Sequence, residues 1–443
     1  MSQNSEVLNT NKSEDREVIL RVKHLKQFFK MGRAKLKAVN DVSFDVYKGE
    51  VFGIVGESGC GKTTTGRSII KLYDITSGNV IFKGQRISAG TRWNKKEIKF
   101  TNIRRDKKIE ELKAQMKEEL GECGNNEVLA EKIKLRYQSE IEDVKINAKK
   151  ICDEQRRLIK AANYDQKHGA ELYTRKRVND TIAEYDSLIS KANSEEEKQE
   201  LEKKKKDAIR VAKKETIMSK MQMIFQDPIA SLDPRMTVKE IISEGLVIKG
   251  IKDQKYIDEK VYEVLELVGL VRDHAGRYPH EFSGGQRQRI GIARAIIMDP
   301  ELIIADEPVS ALDVSIQAQV INLLNELREK MGLTIIFIAH NLSVVKYFCD
   351  RIAVMYYGKM VELTTSSELF KHPLHPYTKS LLSAIPLPDP HYEKVRQRII
   401  YNPLVDHDYS VQKPTLREIV PGHFVSCNDA EFEKYKQILA DEK

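Results

Sequence analysis

Residues 51–69 narrow the folds open to this chain more than any other stretch. Val51-Phe52-Gly53-Ile54-Val55 is an uninterrupted apolar run, which reads as a buried strand. Gly56-Glu57-Ser58-Gly59-Cys60-Gly61-Lys62-Thr63-Thr64 follows, and Arg67 to Tyr73 reads as a helix beyond it. Strand, then G-x-x-x-x-G-K-T, then helix is the local order that a phosphate-binding loop requires. The glycines let the backbone bring its N–H groups to a polyphosphate, and the helix N-terminus adds partial positive charge. In that setting Lys62 reaches the β- and γ-phosphates and the Thr63 hydroxyl holds Mg²⁺. A chance glycine-rich turn is the bland alternative, and the flanking strand and helix count against it.

Three more apolar runs end in polar residues. Gln222 to Phe225 ends at Gln226, Leu302 to Ala305 at Asp306-Glu307, and Thr334 to Ala339 at His340. In a parallel sheet with helices on both faces, strand C-termini share one edge, and ligands bind there. The four ends are therefore expected around one nucleotide. Asp306 orients Mg²⁺ through its water shell. Glu307 polarises the water that attacks the γ-phosphate. His340 either contacts that phosphate or fixes the water, and Gln226 touches either Mg²⁺ or the water. Singly, each residue reads as a loop, a solvated turn or a structural histidine; their joint order around a phosphate loop decides for the site.

The middle of the chain has a different composition. All 13 prolines lie at or after Pro228, and residues 91–215 carry 32 Lys+Arg against 26 Asp+Glu. Most of the formal net charge of +8 sits there, so overall basicity is no argument for nucleic acid. Apolar residues recur in three- and four-residue steps, from Ile133 through Tyr137, Ile141, Val144, Ala148 and Ile151 to Leu158, and again from Val178 through Ile182, Tyr185 and Ile189 to Ala192. This narrow stripe predicts an inserted antiparallel helical hairpin or coiled coil, with breaks at 121–126 and 163–169. Ser194 and Glu197 have capping-box spacing for a later helix. A solvated, partly disordered linker is the alternative. Five cysteines without C-x-x-C pairing argue against a zinc site or disulfide framework and fit a reducing compartment. No apolar run approaches the roughly 18–20 residues of a membrane span.

Phe282-Ser283-Gly284-Gly285-Gln286 opens another helical stretch. A bare S-G-G is usually an ordinary N-cap; here the full set of motifs gives it weight. Together they resemble the nucleotide-binding subunit of ATP-binding-cassette (ABC) proteins, whose signature is L-S-G-G-Q, with Phe282 in place of Leu. The resemblance covers 18–90 and 216–363. It implies a P-loop NTPase cassette of α/β class: a RecA-like core, an antiparallel β subdomain and a helical signature subdomain. It implies that two cassettes pair head to tail, so that Ser283, Gly284, Gly285 and Gln286 of one cover the ATP held by the other. It makes Phe29, with Phe28 as the alternative, the aromatic stacked on adenine, and Asp313 part of the loop crossing between the two sites.

Met223 to Pro228, Tyr278 to Phe282, Asp313 to Gln319 and His372 to Thr378 further resemble the oligopeptide/dipeptide/nickel importer branch, and Arg287 to Arg294 favours its OppF-type over its OppD-type ATPase. Implied are an ATPase powering peptide uptake, with ATP and Mg²⁺ bound. Its partners would be an OppD-type subunit or a second copy, two transmembrane permease subunits and, indirectly, an extracytoplasmic binding protein. Its place would be peripheral, on the cytoplasmic side of the cell membrane, with no nucleic acid expected. The expected division is a disordered tail at 1–15, cassette at 16–90, insertion at 91–215, cassette at 216–364 and extension at 365–443. Cys427 alone gives no cysteine cluster for iron–sulfur. The competing class is a non-transport ABC protein of chromosome maintenance or DNA repair, whose cassette is also split by a long coil; there the coil follows the glutamine loop, whereas here it precedes Gln226.

Overall fold

A computed structural model describes residues 16–122, 126–192, 194–310, 312–385 and 398–441. The tail expected at 1–15, Cys123 and Ala311 lie outside them. Twelve strands form two sheets among the described residues. Strands β1 (Val18–Met31), β2 (Ala34–Tyr47), β4 (Ser77–Phe82) and β5 (Gln85–Thr91) make an antiparallel sheet in the order β2-β1-β4-β5. The basic stretch at 30–37 is mostly paired strand. Pairing continues through Lys30 opposite Lys35 and Met31 opposite Ala34, leaving only Gly32 and Arg33 to turn.

The second sheet contains β3 (Val51–Val55), β6 (Met221–Ile224), β7 (Leu302–Asp306), β8 (Thr334–Ala339), β9 (Arg351–Tyr356), β10 (Lys359–Thr365), β11 (Thr415–Val420) and β12 (His423–Cys427). Its order is β11-β12-β10-β9-β3-β8-β7-β6. The run β9-β3-β8-β7-β6 is parallel, and β10, β12 and β11 extend it antiparallel. Strand alternation splits the core between two faces. Val51, Val55, Ile335 and Phe337 point into one apolar cluster, Phe52, Ile54, Ile336 and Ile338 into the other. After α5 (Pro228–Ser231), which is followed by Leu232 of the first cluster, that cluster is shared with α6 (Val238–Ile248), α7 (Gln254–Leu267), α8 (Gly284–Ile296), α9 (Val314–Met331) and α10 (Leu342–Phe348). The second takes in the antiparallel sheet and α1 (Lys62–Ile69). Beyond β10, α11 (Ser366–Lys371) and α12 (Pro376–Ser383) pack near the first cluster. There α13 (Asp429–Asp441) joins β11 and β12 in a small third core around Val425, Cys427 and Tyr435.

The insertion departs from a single hairpin. After α2 (Arg92–Glu122) comes one helix, α3 (Glu127–Lys191), continuous over 65 residues, then α4 (Glu195–Ala212). At 1.5 Å rise per residue α3 is roughly 100 Å long. Its first part pairs antiparallel with α2, as Asn94 to Gln155 (2.8 Å) and Tyr137 to Glu119 (2.6 Å) show; its last part pairs with α4 through Asp186 and Lys205. The break expected at 163–169 is absent, because there α3 lies across β5. Gln166 donates to the Ala89 carbonyl at 2.8 Å, and the Gly169 carbonyl accepts from Gln85. A Cβ on Gly169 would stand 2.7 Å from the Gln85 amide, so this glycine permits a close approach and does not end the helix. The buried stripe also drifts. Ile151 and Leu158 are exposed, and Cys152 and Ala162 take the buried positions, the direction in which a 3.6-residue turn drifts against a 3.5-residue stripe. Ser194 caps α4, accepting the Glu197 N–H at 3.1 Å.

Candidate functional site

Parallel pairing brings four strand ends to one edge. Val55 stands opposite Ala339, Asp306 opposite Ile338 and Ile224 opposite Ala305. The residues following them are Gly56, His340, Glu307 and, two positions on, Gln226. Gly56 and Gly61 have φ of 147° and 104°, and a Cβ on either would meet a backbone oxygen, of Met355 or Ala38, at 2.2 Å. Only glycine fits both the backbone angle and the neighbour. Ser58 and Gly59 are exposed, whereas Cys60 is buried, which pushes its thiol pKa up. The Cys60 backbone carbonyl accepts the Gly358 N–H at 2.8 Å, fixing the loop to the β9–β10 turn.

Lys62, 4% exposed, donates from Nζ to the carbonyls of Gly56 and Glu57 at 2.8 and 2.9 Å. Its ammonium lies 3.9 Å from Glu307 Oε1. Thr63 Oγ1 donates to Asp306 Oδ1 at 2.7 Å. The other oxygen, Asp306 Oδ2, is buried without a hydrogen-bond partner, and Arg67 stands 3.8 Å away. Burial raises the Asp306 pKa, opposed by the Thr63 bond and Arg67. One hydroxyl and one carboxylate, with an unused buried oxygen, suit a hard cation that keeps several waters. Among the described residues no group of three His, Cys, Asp or Glu could hold a metal alone, so phosphate oxygens and water would complete such a shell.

Glu307 has φ of +45°, an angle non-glycine residues rarely take and one met at functional turns. Its N–H donates to the Ile338 carbonyl at 2.9 Å. Oε2 meets two partners, Gln226 Nε2 at 3.1 Å and His340 Nδ1 at 3.0 Å. Lys62, Thr63, Gln226, Asp306, Glu307 and His340 thus form one connected group.

The remaining candidates stand apart from it. Ser283 caps α8, accepting the Gln286 N–H at 3.3 Å while Gln286 Oε1 accepts the Ser283 N–H at 3.0 Å. Gly284 and Gly285 lie against Leu312 and Ile316. No hydrogen bond or ion pair among the described residues joins this turn to the phosphate loop of the same chain. Asp313 is exposed at the start of α9. Thr64 accepts the Ser68 hydroxyl at 2.7 Å. Phe29 sits edge-on to Tyr73 at 5.3 Å, and Tyr73 meets Arg67 at 3.4 Å. Two residues at the site escaped sequence reasoning. Arg67 lies one helical turn after Thr63, a spacing that places it on the same face. Tyr377 hydrogen-bonds the phosphate loop from the far end of the chain, and no local pattern signals that contact.

A family profile described as "ABC transporter" matches residues 39–206 and 186–310. Another, "Oligopeptide/dipeptide transporter, C-terminal region", matches 361–408. The chain is 44% identical over 420 residues to the "Oligopeptide transport ATP-binding protein OppF" of Bacillus subtilis, covering 95% of this chain and 99% of that one. It is 40% identical to the "Dipeptide transport ATP-binding protein DppF" of Lactococcus lactis, covering 95% and 97%. Among solved structures, cbiO1 of Clostridium perfringens, part of an ABC transporter complex, aligns with TM-score 0.46 at 18% identity over 80% of this chain and 91% of that one.

Proposed function

This chain belongs to the ABC transporter family, as an ATP-binding cassette of the oligopeptide type, and we infer that it binds and hydrolyses ATP to power an oligopeptide importer. The observation that carries the chemistry is Glu307, held at a strand end between Lys62, Gln226 and His340. The loop N–H groups and Lys62 bind the phosphates. Thr63 and Asp306 would hold Mg²⁺, with Gln226, which reaches Glu307, a further candidate ligand; when bound, the ion would offset negative charge on the phosphates.

Glu307 Oε2 accepts from Gln226 and His340, with the His340 proton assigned to Nδ1 because an ionised carboxylate only accepts. Oε1 is then the atom that accepts a proton from the attacking water. His340 holds the carboxylate in register, and Phe29 packs against adenine. Ser283 accepts the Gln286 N–H, which leaves its hydroxyl proton to donate to the phosphates of a second cassette, together with the Gly284 and Gly285 N–H groups. Asp313 lies beside that turn and contributes to the crossing between sites. Two such cassettes, this one with an OppD-type partner or a second copy, close on ATP beneath two permease subunits that receive peptide from an extracytoplasmic binding protein.

No helix among the described residues is long and apolar enough to cross a membrane, so on this reading attachment is peripheral, through the permease on the cytoplasmic side. Membrane fractionation tests it. The chain should sediment with its permease subunits and resist a salt wash; a wholly soluble chain that instead binds DNA in a salt-dependent manner would favour the chromosome-maintenance class.

A further inference from the structure

We propose that Tyr377 is a positioning residue for nucleotide binding, bracing the phosphate loop from the C-terminal extension. The inference rests on residues 56–64 being the ATP loop. The Tyr377 hydroxyl accepts the Glu57 N–H at 3.0 Å across 320 residues of chain. The Glu57 carbonyl in turn accepts from Lys62 at 2.9 Å. Glu57 is therefore held at both its donor and its acceptor, by the extension on one side and by the loop's own lysine on the other.

The tyrosine is itself fixed. It is 1% exposed, with its ring centre 4.4 Å from that of Tyr356 and 5.5 Å from that of Tyr401. Its N–H donates to His375 Nδ1 at 3.1 Å, capping α12, and Pro376 sets the first helical φ. The turn before it hangs on Glu362 of β10, a fully buried carboxylate. Glu362 accepts the Leu374 N–H at 2.9 Å, the His375 N–H at 3.1 Å and His423 Nε2 of β12 at 2.8 Å. A buried carboxylate with three donors leaves the turn little freedom. Burial also pushes the Tyr377 phenol far up, so it remains an O–H.

A continuous set of hydrogen bonds thus runs from the main sheet, through His423, Glu362 and the His375-Pro376-Tyr377 turn, to the phosphate loop. Convergent N–H groups bind phosphate more tightly when their geometry is set before the ligand arrives. The hydroxyl is the only part of Tyr377 that bonds to the loop, and Tyr377→Phe removes it while keeping the buried ring.

The test measures equilibrium ATP affinity, kcat and melting temperature on the full-length chain for Tyr377→Phe, Tyr409→Phe and Lys62→Ala. Tyr409 is the control, since its hydroxyl pairs with His407 at 2.9 Å. The expected result is ATP affinity weakened on the order of fivefold in Tyr377→Phe, the net worth of one neutral hydrogen bond. In that variant kcat at saturating ATP and melting temperature should hold, and Tyr409→Phe should leave affinity unchanged. Unchanged affinity in Tyr377→Phe, with binding lost in Lys62→Ala, would overturn the brace and leave the loop assignment standing. Affinity lost in both tyrosine variants in step with melting temperature would also overturn it. Undiminished binding in Lys62→Ala would remove the loop assignment, and the brace with it.

Discussion

His340 Nδ1 and Glu307 Oε2 meet at 3.0 Å, joining the ends of two neighbouring parallel strands. The same oxygen is 3.1 Å from Gln226 Nε2, so one carboxylate oxygen gathers three strand ends. If the imidazole holds the carboxylate in register, His340→Ala should lower kcat about 10²-fold, at the low end for a positioned acid–base group. ATP affinity should change little. Stopped-turnover assays alongside equilibrium ATP binding would separate the two; a KM effect with kcat intact would place His340 on the substrate instead.

Asp306 combines a buried carboxylate with a pKa raised chiefly by that burial. A folded pKa above the unfolded one means that the charged form at neutral pH costs folding free energy. Asp306→Asn removes that cost. It should hold or raise the melting temperature while increasing the Mg²⁺ concentration needed for turnover about tenfold or more. A magnesium titration of ATPase activity, with a thermal scan of the same protein, measures both. A fallen melting temperature with unaltered Mg²⁺ dependence would make Asp306 structural.

Along α3 the structure separates a docked middle from a free end. Ala162, 6% exposed, packs where α3 crosses the cassette, and Val128, 68% exposed, lies near the α2–α3 turn. Ala162→Asp should cost about 3 kcal/mol, as an uncompensated buried charge does. Val128→Asp should stay within about 0.5 kcal/mol. Denaturant unfolding compares them, and equal losses would contradict the docked position of α3.

Burial, reinforced by His407, lowers the His375 pKa from 6.5 to about 3. The unfolded chain then takes up a proton near pH 6.5 that the folded chain refuses. Stability from this residue is present above pH 6.5 and is lost progressively as pH falls toward 3. His375→Asn keeps a side-chain acceptor for the cap and does not titrate. Its melting temperature should fall less on acidification from about pH 7 to about pH 5. Parallel pH curves for the two proteins would assign the acid sensitivity elsewhere.

The strand ends were legible because short apolar runs closed by Gln226, Asp306-Glu307 and His340 carry both an element and its chemistry. The continuity of α3 was not legible. Asn163 and Gly169 weaken a helix locally, and only contact with β5 shows why the helix persists through them. The place of the β11–β12 pair in the main sheet was equally hidden, since β12 alone joins it to β10, across residues some 60 apart such as Glu362 and Val425. Tyr377 is the extreme case: nothing near residue 377 refers to residue 57. Arg67 opens the helix expected at 67–73 and belongs to no motif; only the observed start of α1 at Lys62 sets it one turn after Thr63.

On the proposed function, these strand ends assemble one hydrolytic centre around Glu307. Glu307→Gln preserves shape and removes the proton acceptor. ATP binding and single-turnover hydrolysis measured on that variant decide whether Glu307 is the proton acceptor. ATP should remain bound with affinity unchanged within about twofold while turnover falls about 10²- to 10⁴-fold. Hydrolysis at the unmodified rate would take Glu307 out of the centre and the assembly with it.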